Sequence, residues 1–219
     1  MMMGVISRRP IENGFDIARN FPDEVQAHYR ALLRRIGWPS ADAVDGLQTI
    51  GVTSCESGEG VTTVAAQLAA TAAAIQKRPV LLVDANILRP ATQRMFQLRP
   101  APGLADAVAA GSLDAIEFQH PSIANLRVLS TGLHAEEPEH VFDSPALAGL
   151  MDELKSQFEL IVFDLPAMRP QHAPLRLAQL LDGVLLVVQS QRVGWQSARH
   201  VRDLLVDANV RMLGTVLNR

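Results

Sequence analysis

The sequence predicts an α/β domain built on a mostly parallel β-sheet with helices on both faces. Three observations predict it. From Leu47 onward, short continuous apolar runs alternate with helical patterns, as in strands that are buried on both sides and joined by crossover helices. One such run, Ile50-Gly51-Val52-Thr53, leads into the glycine-rich turn Ser57-Gly58-Glu59-Gly60-Val61-Thr62-Thr63, which opens a stretch of helix formers from Val64 to Gln76. Two further apolar runs end on an aspartate, Asp84 and Asp164. Ligands of parallel sheets sit at the carboxyl ends of the strands, so all three features fall on the edge where a site is expected.

Taken in order, residues 1–22 are irregular and polar and are expected to form a flexible N-terminal arm, leaving residues 23–219 as a single domain. Asp23 to Ile36 predicts a helix, with Val25, Tyr29, Leu32, Leu33 and Ile36 on one face and Arg30, Arg34 and Arg35 off that stripe. Pro39 to Asp45 resembles a linker. Strands are predicted over Thr49–Thr53, Val80–Val83, Arg127–Leu129, Leu160–Phe163, Val184–Val188 and Met212–Leu217. Helices are predicted over Thr62–Gln76, Leu104–Ala110, Ala146–Gln157, Leu175–Leu181 and Gln196–Ala208.

Composition narrows the function. With 219 residues, 48% of them hydrophobic, the chain can bury one sizeable core, and with aromatics at 5% that core must rest on Leu, Val, Ile and Ala. A net charge of −3 and a pI near 6.1 argue against a nucleic-acid footprint, which needs a basic face. The single cysteine, Cys55, excludes an internal disulfide framework and suits a reducing compartment. Met1 to Arg9 lacks an apolar signal core, and no run approaches the ~18 apolar residues of a membrane span. A soluble, cytoplasmic chain is expected.

The turn at Ser57–Thr63 has the context of a phosphate-binding loop, in which backbone N–H groups and a helix N-terminus cradle phosphates. The motif G-x-x-x-x-G-K-[ST] places its lysine where Val61 stands and its first glycine where Cys55 stands. The only lysines, Lys77 and Lys155, cannot serve the loop locally. Thr62 is the hydroxyl expected on Mg²⁺, and Asp84 and Asp164 are the carboxylates that would hold the metal and its waters. An isolated aspartate reads equally well as a helix cap or turn residue; three strand ends in this chain order carry the phosphate-loop reading. Cys55 reads as a small buried filler more readily than as a reactive thiol. His134 and His140 flank Glu136, Glu137 and Glu139 without zinc-ligand spacing, as in an acidic loop before a helix. Trp195 reads either as a partner anchor or as core packing.

On these motifs the chain resembles the cytoplasmic domain of bacterial tyrosine kinases (BY-kinases), which are MinD/ParA-like P-loop proteins of capsule and exopolysaccharide synthesis. The matching segments are Thr53-Ser54-Cys55-Glu56-Ser57-Gly58-Glu59-Gly60-Val61-Thr62-Thr63, Asp84-Ala85-Asn86-Ile87-Leu88-Arg89-Pro90, Gly103-Leu104-Ala105-Asp106, Ser144-Pro145, Asp164-Leu165-Pro166-Ala167, Asp182-Gly183-Val184 and Gly214-Thr215-Val216-Leu217-Asn218. The resemblance implies ATP or ADP with Mg²⁺ on Gly58, Glu59, Gly60, Val61, Thr62 and Thr63, with Asn218 near the adenine. It implies a catalytic set of Asp84, residue 86 and Asp164. It also implies docking on a two-span membrane polysaccharide co-polymerase, which would hold the chain at the inner face of the cell membrane.

The departures from the family pattern fall inside the site. The family's loop lysine is Val61, its second catalytic aspartate is Asn86, and the first arginine of its R-R-P segment is Leu88. Tyr29 is the only tyrosine in the sequence; truncation could explain the missing C-terminal tyrosine cluster that the family phosphorylates, but not the substitutions inside the site. A catalytically degenerate regulator, pseudokinase-like, is therefore expected, with nucleotide and Mg²⁺ binding weakened or lost. Arg89 and Arg169 are the nearest arginines, in motif terms, to replace the lost charge. Residual binding without turnover and no binding at all both remain open at this stage. The alternative readings are an active ATP-dependent tyrosine kinase and a MinD/ParA-like ATPase.

The family's ring-forming motif E-x-x-R-x-x-R maps onto Ala27, Arg30 and Leu33, so only its first arginine survives. An ion pair needs both signs, and the motif here has lost its carboxylate. In isolation the chain is expected to be a monomer or a small homo-oligomer, with higher assembly imposed by the membrane partner. Light scattering of the purified chain checks this, and a stable closed ring would contradict it.

Overall fold

The computed structural model describes residues 3–6, 23–39, 46–75, 78–133, 137–169 and 173–218. Seven strands form one sheet: β1 (Met3–Ile6), β2 (Thr49–Ser54), β3 (Val80–Asp84), β4 (Leu126–Leu129), β5 (Leu160–Asp164), β6 (Gly183–Gln189) and β7 (Met212–Asn218). Their order is β1-β7-β6-β2-β5-β3-β4, and every neighbouring pair is parallel. The helices are α1 (Asp23–Arg35), α2 (Val61–Ile75), α3 (Thr92–Met95), α4 (Leu104–Ala110), α5 (Pro138–Phe142), α6 (Ala146–Gln157), α7 (Ala173–Ala178) and α8 (Trp195–Asp207). The predicted α/β class and parallel sheet are observed.

Two apolar layers sandwich the sheet. β2, β3 and β5 are buried along their whole length, which is why they read as unbroken apolar runs rather than alternating ones. On one face, α1 and α2 enclose Tyr29, Leu33, Ile36, Leu68, Ile50 and Val162. On the other, α4 to α8 enclose Leu104, Phe142, Leu150, Phe163, Leu177 and Leu205. Helix α2 lies beneath α1 and on the sheet, and its buried alanines (Ala65, Ala66, Ala69, Ala72, Ala73) let both approach closely. The apolar stripe of α1 thus packs on its own domain, while Arg30, Arg34 and Arg35 stay exposed.

Four elements depart from expectation. Met3–Ile6, expected to be irregular, pairs with Thr215–Asn218 as an edge strand; the partner lies at the far end of the chain, so no local signal marks it. The remainder of residues 1–22, and residues 40–45 of the expected linker, lie outside the described residues. The short helices α3 and α5 were not anticipated. α3 starts where the Oδ2 of Asp84 accepts the N–H groups of Ala91 and Thr92 at 2.9 and 3.0 Å, a cap supplied from the end of a strand rather than by the preceding residue. Helix α7 begins two residues before the predicted Leu175, with Pro174 in its first turn, where a missing N–H costs no helix bond.

The Gly103-Leu104-Ala105-Asp106 segment ties α4 to the end of β4. Asp106 Oδ2 accepts the N–H groups of Gly103 and Leu133 at 2.8 and 2.9 Å, and Leu104 donates to the Ser130 carbonyl at 2.9 Å. A Cβ on Gly103 would lie 2.1 Å from that carbonyl oxygen and 2.5 Å from the Gly132 nitrogen, both rigid backbone atoms. Gly103→Ala is therefore expected to destabilise the fold by about 1–3 kcal/mol through overpacking. A urea melt checks this: the midpoint should fall with little change in slope.

Candidate phosphate-binding site

The carboxyl ends of β2, β3, β5, β6 and β7 converge on the loop that leaves β2. Ser54 and Cys55 are buried, and the chain then makes a tight turn with Gly58 and Gly60 at φ of 87° and 89°. Such left-handed positions favour glycine. Between the two glycines Glu59 has no exposed surface. Its Oε1 accepts the Glu56 N–H at 2.6 Å and its Oε2 the Gln189 N–H at 2.9 Å, which ties the loop to the end of β6. Burial raises the Glu59 carboxyl above the usual carboxylate range, and these N–H donors oppose that rise. The Nδ2 of Asn218, at the end of β7, donates to the Glu59 carbonyl at 2.7 Å.

The loop delivers its main chain to the N-terminus of α2. Val64 donates to the Gly60 carbonyl at 3.0 Å, whereas the N–H groups of Glu59, Gly60, Val61, Thr62 and Thr63 find no backbone acceptor among the described residues. Unsatisfied donors at a helix start form an anion-binding concavity. The Val61 side chain is half-buried against the apolar layer shared with α1 and brings neither charge nor donor.

Across this opening stand two carboxylates. Asp84 and Asp164 pair in register on adjacent strands. Asp84 is engaged through both oxygens: Oδ1 accepts the Asn86 N–H at 3.1 Å, and Oδ2 also takes the Thr92 hydroxyl at 2.8 Å. Burial raises its carboxyl, against the pull of those donors. Asp164 is wholly buried, and neither of its oxygens has a hydrogen-bond partner among the described residues. Burial drives its carboxyl well above the usual carboxylate range, the charge of Asp84 adds to this, and the nearby Thr62 hydroxyl opposes it. An ionised carboxylate in that position needs a proton or a cation.

β2, which ends in the glycine-rich loop, and β5, which ends in Asp164, are neighbours in the sheet. The model of the ParA family, described as NUBPL iron-transfer P-loop NTPase, matches residues 47–219. This chain is a ParA-family P-loop NTPase domain. Among its relatives is Tyrosine-protein kinase YwqD of Bacillus subtilis (strain 168), 27% identical over 190 residues that cover 87% of this chain and 79% of that protein. Another is Succinoglycan biosynthesis transport protein ExoP of Rhizobium meliloti (strain 1021), 31% identical over 78% of this chain but only 22% of ExoP. The crystal structure of the chimerical protein CapA2B2 superposes with a TM-score of 0.86 at 24% identity, covering 99% of this chain and 92% of that one, which shows a shared fold.

ParA-family P-loop domains generally bind nucleotide with Mg²⁺, and part of the donor set here fits that pair. N–H groups without a backbone acceptor among the described residues suit phosphate oxygens, and Asp164 with the Thr62 hydroxyl suits a divalent cation, whereas Asp84 gives Oδ2 to the turn at 91–92 and keeps acceptor capacity on Oδ1. Among the described residues no cluster of three or more His, Cys, Asp or Glu side chains could hold a metal by itself. Asn86 is half-buried with its N–H on Asp84, and Arg89 and Leu88 face solvent. Arg169 is exposed and donates weakly to Ser197 Oγ at 3.4 Å.

Several other expectations find their places. Burial and the neighbouring glutamates push the Cys55 thiol up to about 12, as expected of an inert filler. Trp195 is 67% exposed, which overturns the core-packing reading; its ring carries the Arg199 guanidinium 5.9 Å from the centroid. Tyr29 is 1% exposed, and burial raises its phenol, so its hydroxyl is out of reach of a phosphoryl donor. Glu139 and His140, expected in an acidic loop, lie within α5, with Glu137 just ahead of it, while His134 and Glu136 lie outside the described residues. The arginine that does reach the loop, Arg192, was not singled out in the sequence. Its Nη2 donates to the Ser57 carbonyl at 3.0 Å and its Nη1 to the Gly58 carbonyl at 3.2 Å. The available signal was its place just past the end of the strand beside the loop strand.

A buried carboxyl with a raised folded-state pKa stabilises the fold fully below its unfolded value of ~3.9, and that contribution is lost as pH rises through the folded value. In EDTA at pH 7, Asp164→Asn is therefore expected to raise the melting temperature by roughly 2–4 °C, about 1 kcal/mol. The gain should vanish toward pH 4, and Mg²⁺ should stabilise only the wild type. Thermal melts across pH check this; a mutant less stable than wild type at pH 7 in EDTA would mean that the carboxylate is already compensated.

Proposed function

We propose that this chain is a catalytically degenerate BY-kinase-like protein that keeps the phosphate cradle and has lost the transfer machinery. In this reading it regulates capsule or exopolysaccharide synthesis or export together with a membrane polysaccharide co-polymerase. The observation that carries the reading is Val61: an apolar side chain, packed into the domain, in the lysine position of an otherwise intact loop. A charge-assisted hydrogen bond contributes roughly 1.5–3 kcal/mol, and a phosphoryl clamp can be worth ~10³-fold or more in rate. Asn86 replaces a carboxylate with an amide, which can orient water but cannot accept a proton.

In this assignment ADP or ATP is held by the main chain of Gly58 to Thr63, with Asn218 bracing the loop beneath the base. Mg²⁺, if bound, would neutralise phosphate charge; Thr62 and Asp164 would hold it, with Asp84 in the neighbouring wall. Residues 23–219 act as one domain, to whose sheet Met3–Ile6 adds an edge strand. Among the described residues no helix is long and apolar enough to cross a membrane, so attachment to the inner face of the cell membrane would come through the partner. The relative ExoP is a succinoglycan biosynthesis transport protein, which supports the polysaccharide context. The kinase names of YwqD and other relatives favour a second reading, an active ATP-dependent tyrosine kinase with an altered site.

Val61→Lys separates the two. If the cradle is kept and only its charge is lost, the substitution raises Mg·ADP affinity by about 10-fold or more, and turnover additionally needs Asn86→Asp. Titration calorimetry of the wild type and both variants checks this. Unchanged affinity in Val61→Lys would show that the loop does not receive phosphate.

A further inference from the structure

We propose that Arg192 is a positioning residue for the phosphate cradle, supplying from behind the loop the positive charge that residue 61 no longer supplies from the front. The inference rests on the cradle reading above. Three contacts define it: Nη2 to the Ser57 carbonyl at 3.0 Å, Nη1 to the Gly58 carbonyl at 3.2 Å, and Nη1 to the Gln189 side-chain oxygen at 3.3 Å. The guanidinium lies directly over Gly58: a Cβ there would come within 2.9 Å of Nη1 and 3.4 Å of Nη2. Glycine at 58 is thus demanded twice, by its φ of 87° and by the arginine.

The geometry of the peptide unit turns this brace into a device for anions. In a trans peptide the C=O and N–H point in opposite directions. Fixing the Ser57 and Gly58 carbonyls on the arginine therefore turns the N–H groups of Gly58 and Glu59 to the opposite side of the loop. The Glu59 and Asn218 hydrogen bonds hold the next turn in the same way, through the Gln189 N–H and the Glu59 carbonyl. A planar fork suits two successive carbonyls, which a single ammonium cannot span. The positive charge behind the loop also polarises the peptides whose N–H groups face an incoming phosphate. Gln189 completes the arrangement: its N–H anchors Glu59 while its side chain steadies Arg192.

The test uses the intact chain and two readouts. In the nucleotide-free protein, the Glu56 and Gln189 amides are protected by Glu59. Arg192→Ala is expected to speed their hydrogen–deuterium exchange about 3- to 10-fold while leaving the amides of β5 unchanged, and Arg192→Lys should recover part of the protection. Unchanged exchange at Glu56 and Gln189, or an equal rise in β5, would overturn the proposal. In the second readout, Mg·ADP titration, Arg192→Ala should weaken binding more in the wild type than in the Val61→Lys background, because there the lysine replaces the lost charge. Equal losses in both backgrounds would overturn the charge-replacement role. If neither background binds Mg·ADP, the nucleotide reading fails, while the exchange readout still decides whether Arg192 sets the loop.

Discussion

The buried carboxylate of Glu59 is the constraint on which the site depends. A charged side chain with no exposed surface persists only if its oxygens are satisfied, and here the donors are the Glu56 and Gln189 amides. Meeting that demand brings the loop after β2 onto the end of β6, and Asn218 draws in the end of β7. The loop is therefore shaped by the protein itself. Nothing in its geometry calls on a side chain at residue 61, which is why Val61 can sit half-buried at the start of α2 while the N–H groups of residues 59–63 have no backbone acceptor among the described residues. In the proposed reading, binding geometry and catalytic charge are carried by different atoms, and only the second is missing.

The two aspartates divide the remaining work. Asp84 spends its oxygens on the amides of Asn86, Ala91 and Thr92 and on the Thr92 hydroxyl, so its first task is to build the turn after β3. Asp164, one strand away, has no hydrogen-bond partner among the described residues and lies near the Thr62 hydroxyl. An orphaned carboxylate costs stability unless it meets a proton or a cation, and it is retained here next to an opening lined with anion-binding amides. In the proposed reading that pairing links the ParA-family fold to nucleotide chemistry, with Val61 in the lysine position.

Most of the frame was legible in the sequence because parallel strands buried on both faces leave continuous apolar runs, and Asp84, Asp164 and Asp182 mark where such runs stop or start. The loop was legible because Gly58 and Gly60 stand between a strand and a helix. What escaped the sequence depends on distant partners. β1 exists only through β7, and α3 through a cap from Asp84. Arg192 acquires meaning only when β6 is seen beside β2. Trp195 sat in a polar stretch that fits either a surface or a packed helix, and its exposure is settled by the apolar face of α8 turning toward Val201 and Leu205 instead.

Loss of lysine and carboxylate from a cradle that remains built leads to one central claim: nucleotide can be held without being turned over. The relatives named as kinases make the opposite outcome a real alternative. Phosphate release from Mg·ATP by the wild-type chain, with mass spectrometry for phosphotyrosine in the same reaction, tests the claim most directly. The account predicts release at background and no phosphate on Tyr29, whose hydroxyl is buried. Sustained Mg²⁺-dependent hydrolysis that is abolished by Asp164→Asn would contradict it.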